Sequence, residues 1–269
     1  MSSYPRLCCS FATKPSKVGV QYHNACYRAL GLDYTYVAFG VSDLPSAVQS
    51  LRTLDIRGCG VTMPFKEMVL PYLDRLDPVA ARIKSVNTIV NDDGQLTGYN
   101  VDWYGARQAL QEVTVLDGKT AVVVGAGGAS RAVIYALVSS GAKVDLYNRS
   151  VDRAQALANE FGLLPAHPLD ELPRVGHYDI LVNATSVGYK APEESIVPET
   201  ILRPGAVLLD IVAEPLETLL MRQARARGMI VVPGYRMRLL QAAEQFRLYT
   251  GVDAPLAVME RALIEATGT

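Results

Sequence analysis

Residues 121–133 read AVVVGAGGASRAV, and no other stretch of the 269-residue chain limits its fold as tightly. A short apolar run leads into a glycine turn and then into small, helix-favouring residues, and such a run suits a strand buried in a parallel sheet. Gly125 and Gly127 have the freedom to take positive φ and to let a ligand approach the backbone closely. The helix that follows then directs its free N–H groups and the positive end of its dipole at an anion. This is the shape of a dinucleotide pyrophosphate site built from Gly125, Ala126, Gly127, Gly128, Ala129 and Ser130. The fingerprint is incomplete, because Ser130 stands where the third glycine of G-x-G-x-x-G falls. Taken alone, the stretch reads equally well as a tight turn with no ligand.

The rest of the chain supplies the alternation such a unit needs. Apolar periodicity predicts strands at 7–12, 34–39 and 59–63, and helices at 19–30 and 44–54, the second capped by Asp43. Short helices at 66–73 and 78–83 follow, then a hairpin of strands 88–90 and 95–98 turned at Asp93-Gly94. Residues 101–113 predict a helix that crosses into a second domain. Strands at 120–124, 143–147, 179–183, 206–212 and 229–232, with helices at 129–140, 151–161 and 216–227, then read as a doubly wound dinucleotide fold. Helices at 237–249 and 255–267 end the chain.

Composition narrows the function classes. Hydrophobic residues make up 49% and charged residues 20%, as in ordinary globular proteins of one or two domains. A formal net charge of -1 leaves no basic excess for a nucleic-acid footprint. No apolar run approaches the roughly 18 residues that span a bilayer. The N-terminal MSSYPRLCCSFATK lacks the layout of a secretory signal, and Cys8, Cys9, Cys26 and Cys59 form no C-x-x-C pair. They read as reduced core thiols, so the expected location is cytoplasmic. His23, His167 and His177 are scattered, and no metal is expected.

Four further stretches hold candidate chemistry. Asn148-Arg149-Ser150 ends the second strand of the nucleotide unit, where an NAD site usually places a carboxylate on the ribose hydroxyl. Arg149, with Arg153 a turn later, instead suits a 2′-phosphate through bidentate charge-assisted bonds. A solvated arginine pair at a helix start is the competing reading; the balance favours NADP. In VTMPFK, Lys66 follows a strand end beside a proline and an aromatic. A rigidly held, partly desolvated lysine suits proton transfer, although a lysine there is ordinarily a solvated surface residue. Asn87 and Asp102 bracket the hairpin at positions able to bond a polyol, with Asp102 equally readable as a first-turn carboxylate. Asn183 and Thr185, in NATSVG, end a strand where open α/β sheets bind ligands, or form a plain polar turn.

Taken in order, VTMPFK, SVNTIV, GYNVDWYG, VVVGAGGASRA, NRS with Arg153, NATSVG, and Gly234 through Met237 to Gln241 resemble the shikimate dehydrogenase family along nearly the whole chain. The resemblance implies two α/β domains. A substrate and catalytic domain takes 1–101, a Rossmann-like NADP-binding domain takes 102–236, and C-terminal helices over 237–269 return to the substrate domain. It implies reversible hydride transfer between NADP(H) and the 3-hydroxyl of shikimate, a step of aromatic amino acid biosynthesis, in a monomer or homodimer. Lys66 and Asp102 then match the catalytic pair, with Lys66 taking the hydroxyl proton and Asp102 orienting the hydroxyl. Asn87 and Gln241 match substrate contacts, with Thr62 beside them. Gly125 to Ser130 match the pyrophosphate turn, and Asn148, Arg149, Ser150 and Arg153 the adenosine-phosphate clamp. Asn183 and Thr185 join the cofactor set, with Gly234 and Met237 on the nicotinamide side.

Two departures concern the substrate carboxylate. The family's Ser-x-Ser-Pro stretch before His-Asn is replaced here by Lys14-Pro15-Ser16-Lys17-Val18-Gly19 ahead of His23-Asn24, leaving Ser16 as the hydroxyl candidate. Ala213 stands where the family often has tyrosine. Each lost hydrogen bond to a charged group removes about 1.5–3 kcal/mol. The expectation is therefore a divergent member with weak shikimate activity or a related cyclic hydroxy acid, with Lys17 as a compensating charge. A quinate-type dehydrogenase and a non-catalytic dinucleotide sensor are the other readings.

Overall fold

The computed structural model describes residues 4–267. Two compact units divide the chain: the part up to Val101 joins the part from Gln241 onward in the first, and Asp102–Leu240 makes the second.

The first unit runs β1 (Arg6–Ala12), α1 (Lys17–Ala29), β2 (Tyr34–Gly40), α2 (Leu44–Thr53), β3 (Gly58–Val61), α3 (Phe65–Met68), β4 (Arg75–Leu76), α4 (Pro78–Ile83), β5 (Thr88–Asp92) and β6 (Gln95–Tyr99). These strands form one sheet in the order β2-β1-β3-β5-β6-β4, parallel from β2 to β3 and antiparallel from β3 to β6. Asp93 and Gly94 both take positive φ at the β5–β6 turn, the backbone a two-residue hairpin requires. One face of the sheet is closed by Phe11, Val48, Leu51, Ile56, Val61, Ile89 and Leu96, largely beneath α2.

Several expected bounds shift for local reasons. Helix α1 begins at Lys17 rather than residue 19, because the Ser16 hydroxyl caps it by accepting from Val18 N at 3.2 Å. Strand β3 ends at Val61 rather than residue 63; Pro64 offers no N–H, and Phe65 N turns back onto Thr62 O at 2.9 Å. The single helix expected over 66–73 is instead the four-residue α3 and a 3-10 turn over Leu70–Tyr72. The two-residue β4 is too short to leave a periodic signal.

The second unit contains α5 (Asp102–Gln111), β7 (Thr120–Val124), α6 (Gly128–Ser139), β8 (Lys143–Asn148), α7 (Val151–Phe161), β9 (His167–Pro168), β10 (Ile180–Asn183), β11 (Val207–Asp210), α8 (Leu219–Ala226), β12 (Ile230–Pro233) and the start of α9 (Gly234–Thr250). Its sheet is parallel throughout, in the order β12-β11-β10-β7-β8-β9. The order in which strands are added therefore reverses between β7 and β10, the switch point at which open α/β sheets bind ligands. Ala121 and Val123 pack on one face with Leu110, Val133 and Leu137, while Val122 and Val124 pack on the other with Leu172, Leu208 and Leu220. That two-sided burial explains the unbroken apolar run. Helix α8 starts at Leu219 rather than residue 216 because Thr218 caps it, accepting from Met221 N at 3.2 Å. Helix α9 starts three residues before the expected 237, and the division between the units falls within it, after Leu240.

The remainder of α9 and α10 (Leu256–Thr267) belong to the first unit, where α10 packs on α1. His23 is fully buried there, with its ring stacked on Tyr36 at 4.4 Å and Phe246 at 6.2 Å between centroids. Among the described residues no helix is long and apolar enough to cross a membrane.

Burial pushes the His23 imidazole down to about 3, partly opposed by its hydrogen bond to Gln245. An unfolded histidine protonates near 6.5, so below that pH the unfolded chain gains a proton that the folded chain refuses. Stability is therefore expected to fall as pH drops from about 6.5 toward 3, by up to about 1.4 kcal/mol per pH unit for one proton. Urea unfolding at pH 7 and pH 5 checks this: His23→Phe should show a shallower loss than wild type, and parallel losses would refute it.

Candidate active site

In the second unit the site begins at Gly125, the residue after β7, whose φ is +115°. A side chain there would bring a Cβ to 2.9 Å from Ala184 O and from Thr185 Cγ2, so only glycine lets β7 and the end of β10 approach this closely. Space opens at Gly127, where an added Cβ would meet nothing within 4 Å. The first turn of the twelve-residue α6 follows, with no acidic residue in it. Ser130 replaces the third glycine with a brace: its hydroxyl accepts from Gly127 N at 3.1 Å and donates to Ala184 O at 3.2 Å. The outcome is an open, backbone-lined cradle at a helix N-terminus, which suits a pyrophosphate.

Beside it, β8 ends in Asn148-Arg149-Ser150. Asn148 Nδ2 donates to Ser150 O at 2.9 Å, which shapes the turn into α7. Arg149, Ser150 and Arg153 are exposed, and neither arginine makes an ion pair among the described residues. Arg131, by contrast, is held by Glu160 at 2.5 Å. Two unengaged guanidinium groups at this strand end, with no carboxylate there, fit a ribose 2′-phosphate.

The side chain of Asn183 bonds within the protein. Its Nδ2 donates to Asp210 Oδ1 at 2.9 Å and Val187 O at 3.2 Å, and its Oδ1 accepts from Thr185 N at 3.1 Å and Thr185 Oγ1 at 2.7 Å. The carboxamide is fully engaged in shaping the NATSVG turn. Asp210, fully buried, accepts in addition from Thr218 Oγ1 at 2.7 Å and Val212 N at 3.2 Å. Burial raises its carboxyl against these hydrogen bonds. The sequence reading missed this Asp210–Thr218 bracket, whose only trace is an acid ending a strand eight residues before a helix cap. Gly234 begins α9 where a Cβ would lie 2.6 Å from the Ile211 carbonyl, and Met237 is buried in the core on that helix.

In the first unit, Thr62 and Lys66 occupy the turn after β3. Thr62 N donates to Phe11 O at 3.1 Å, and its hydroxyl donates to the same oxygen at 3.3 Å. Phe65 is buried, anchoring α3, and Val86 N donates to Lys66 O at 2.8 Å, so the half-buried Lys66 has a fixed backbone. Asn87 immediately precedes β5; its carbonyl accepts from Val61 N at 2.7 Å, and its Nδ2 donates to Gln241 Oε1 at 3.2 Å. The structure thus joins two predicted substrate contacts directly. Asn87 Oδ1 also accepts from Val101 N at 2.8 Å, fixing the backbone just before Asp102, which opens α5. Ser16 is exposed, with its oxygen occupied in capping α1. Thr88, Gln245 and His23, which join Asn87 in a buried hydrogen-bond chain, were not singled out as site residues. Their partners lie far off in the chain, so no local pattern announces them.

A parallel 3-2-1-4-5-6 sheet with this cradle defines a dinucleotide-binding α/β protein. Comparison with known proteins is more specific. The model of the shikimate dehydrogenase substrate-binding domain matches residues 16–89, that of shikimate/quinate 5-dehydrogenase matches 107–215, and that of the shikimate 5′-dehydrogenase C-terminal domain matches 234–264. The chain belongs to the shikimate dehydrogenase family. It is 44% identical to the shikimate dehydrogenase (NADP(+)) of Pyrococcus furiosus over 89% of this chain and 88% of that one. It is 40% identical to a shikimate dehydrogenase-like protein of Haemophilus influenzae over 91% and 90%. The Thermus thermophilus shikimate 5-dehydrogenase, solved in complex with NADP(H) and shikimate, superposes with a TM-score of 0.87 at 36% identity, covering 97% of this chain and 99% of that one.

Gly125→Ala is expected to destabilise the protein by about 1–3 kcal/mol, through the forbidden φ and the backbone clash with Ala184. Ser130→Gly should cost about 1 kcal/mol through the lost brace. Chemical denaturation measures both, and a wild-type midpoint for Gly125→Ala would contradict the close approach.

Proposed function

We propose that this protein is an NADP-dependent dehydrogenase that interconverts shikimate and its 3-dehydro form. The observation that supports it most is that one chain carries both a pyrophosphate cradle with an arginine-ended strand, in Asp102–Leu240, and the Lys66, Asn87 and Gln241 group, in the other unit. The unit made of the chain up to Val101 and from Gln241 onward binds substrate, and Asp102–Leu240 binds NADP. Gly125 to Ser130 hold the pyrophosphate; Arg149 and Arg153, with Asn148 and Ser150, hold the 2′-phosphate side; Thr185, Gly234 and Met237 border the nicotinamide. When bound, NADP+ accepts the hydride from the carbinol carbon. Lys66 takes the hydroxyl proton in that direction and returns one to the carbonyl oxygen in reverse. Asp102 orients the hydroxyl, while Asn87, Gln241 and Thr62 hold the ring.

The absence of a carboxylate at the end of β8 counts against an NAD-linked quinate enzyme. The presence of both Lys66 and Asp102 counts against a sensor without turnover, which has no use for a proton-transfer pair. The four cysteines are free and buried, in keeping with a cytoplasmic enzyme.

Steady-state NADP reduction with shikimate and with quinate tests the reading. Lys66→Ala should lower kcat by about a hundredfold or more, since a positioned acid–base group contributes that much. Activity equal to wild type removes Lys66 from the mechanism. Arg149→Ala should raise the KM for NADP about tenfold or more while leaving that for NAD nearly unchanged. A matching rise in both eliminates the phosphate-clamp assignment.

A further inference from the structure

His23 and Thr88 are fully buried, and Asn87 and Gln245 are exposed by only 3% and 4%. Their hydrogen bonds form one chain whose direction is fixed by backbone groups at two points. The Val101 N–H can only donate, so the Asn87 atom facing it at 2.8 Å is Oδ1. Thr88 Oγ1 donates to the same oxygen at 2.8 Å, which fills its two lone pairs. Asn87 Nδ2 therefore faces Gln241 and meets its Oε1 at 3.2 Å. The Asn87 backbone carbonyl can only accept, so the Gln245 group beside it at 3.4 Å is Nε2. That same Nε2 donates to Thr88 Oγ1 at 2.9 Å, committing the Thr88 proton to Asn87. Gln245 Oε1 is thereby turned to His23, which meets it at 3.2 Å through a protonated Nε2. Flipping any one amide sets two donors or two acceptors face to face inside the unit, at the cost of an unsatisfied buried group.

We propose that Thr88 and Gln245 are positioning residues for substrate recognition. They lock the Asn87 carboxamide with its oxygen inward and, through Asn87, hold Gln241 with Oε1 occupied and its Nε2 donor left for an acceptor oxygen of the substrate. The inference rests on reading Asn87 and Gln241 as substrate contacts. Neither Thr88 nor Gln245 touches substrate; both act through the orientation of a side chain that does. The chain keeps its direction across the working pH range, because burial holds His23 neutral.

The experiment compares Thr88→Val, which keeps the shape and removes the hydroxyl, with Thr88→Ser, which keeps the hydroxyl. Wild-type turnover of shikimate with NADP is established first, and its absence defeats the proposed function rather than this inference. Given turnover, Thr88→Val should raise the KM for shikimate about tenfold with the KM for NADP unchanged, and Thr88→Ser should stay within about twofold of wild type. Gln245→Leu, acting on the other side of the same hydroxyl, should raise the KM for shikimate likewise, and the double variant should add little to either single change. A Thr88→Val protein that folds and keeps the wild-type KM for shikimate overturns the proposal. If that variant does not fold, an unchanged KM for shikimate in Gln245→Leu overturns it equally.

Discussion

The buried carboxamide and backbone of Asn87 are the point on which the first unit depends. Its carbonyl accepts from β3, its N–H donates to Tyr99 O at 3.0 Å at the end of β6, and its side chain reaches Val101, Thr88 and the Gln241 of α9. One residue thus ties the sheet, the segment after β6 at Val101 and the returning helix, all within the first unit. A buried polar group is tolerated only when its partners are all in place, so the same bonds that stabilise the fold also fix the geometry of the site. Function and folding here are constrained by one set of atoms.

The second unit reaches its site by a different route. There the constraint is close packing of backbone on backbone, at Gly125 against Ala184 and at Gly234 against Ile211, with polar brackets at Ser130 and Asp210 holding the turns. Neither bracket contains a group that must change charge during catalysis. The nucleotide end is an open, backbone-lined cradle, while Lys66 lies on the four-residue α3 and Asp102 opens the ten-residue α5.

Much of this was legible in the sequence where local pattern and tertiary role coincide. The run at Ala121–Val124 is apolar because both faces of β7 are covered, and Asp93-Gly94 forms a turn because two consecutive positive φ values are needed there. The family's ordered motifs placed Lys66, Asp102, Asn87 and Gln241 together as a functional set. What stayed hidden depends on partners distant in the chain. Nothing near Gln245 in sequence announces His23 or Thr88, which lie 222 and 157 residues away. Asn183 is conspicuous because it ends a strand at the switch point; that it also organises the turn shows only in its four internal hydrogen bonds. Ser16 carries a second role that its position before a helix only hints at: its oxygen caps α1 by accepting from Val18 N, while its O–H stays available to donate.

The neutral imidazole of His23 has a consequence for how the enzyme is read in solution. The five-residue chain that ends at Gln241 contains no group that changes charge between pH 4 and pH 9, since its members are amides, a hydroxyl and a histidine pushed down to about 3. The hydrogen-bond pattern of this chain therefore keeps one charge state over that range. In the folded protein, a bend in a plot of kcat/KM against pH therefore has its origin in groups outside these five residues.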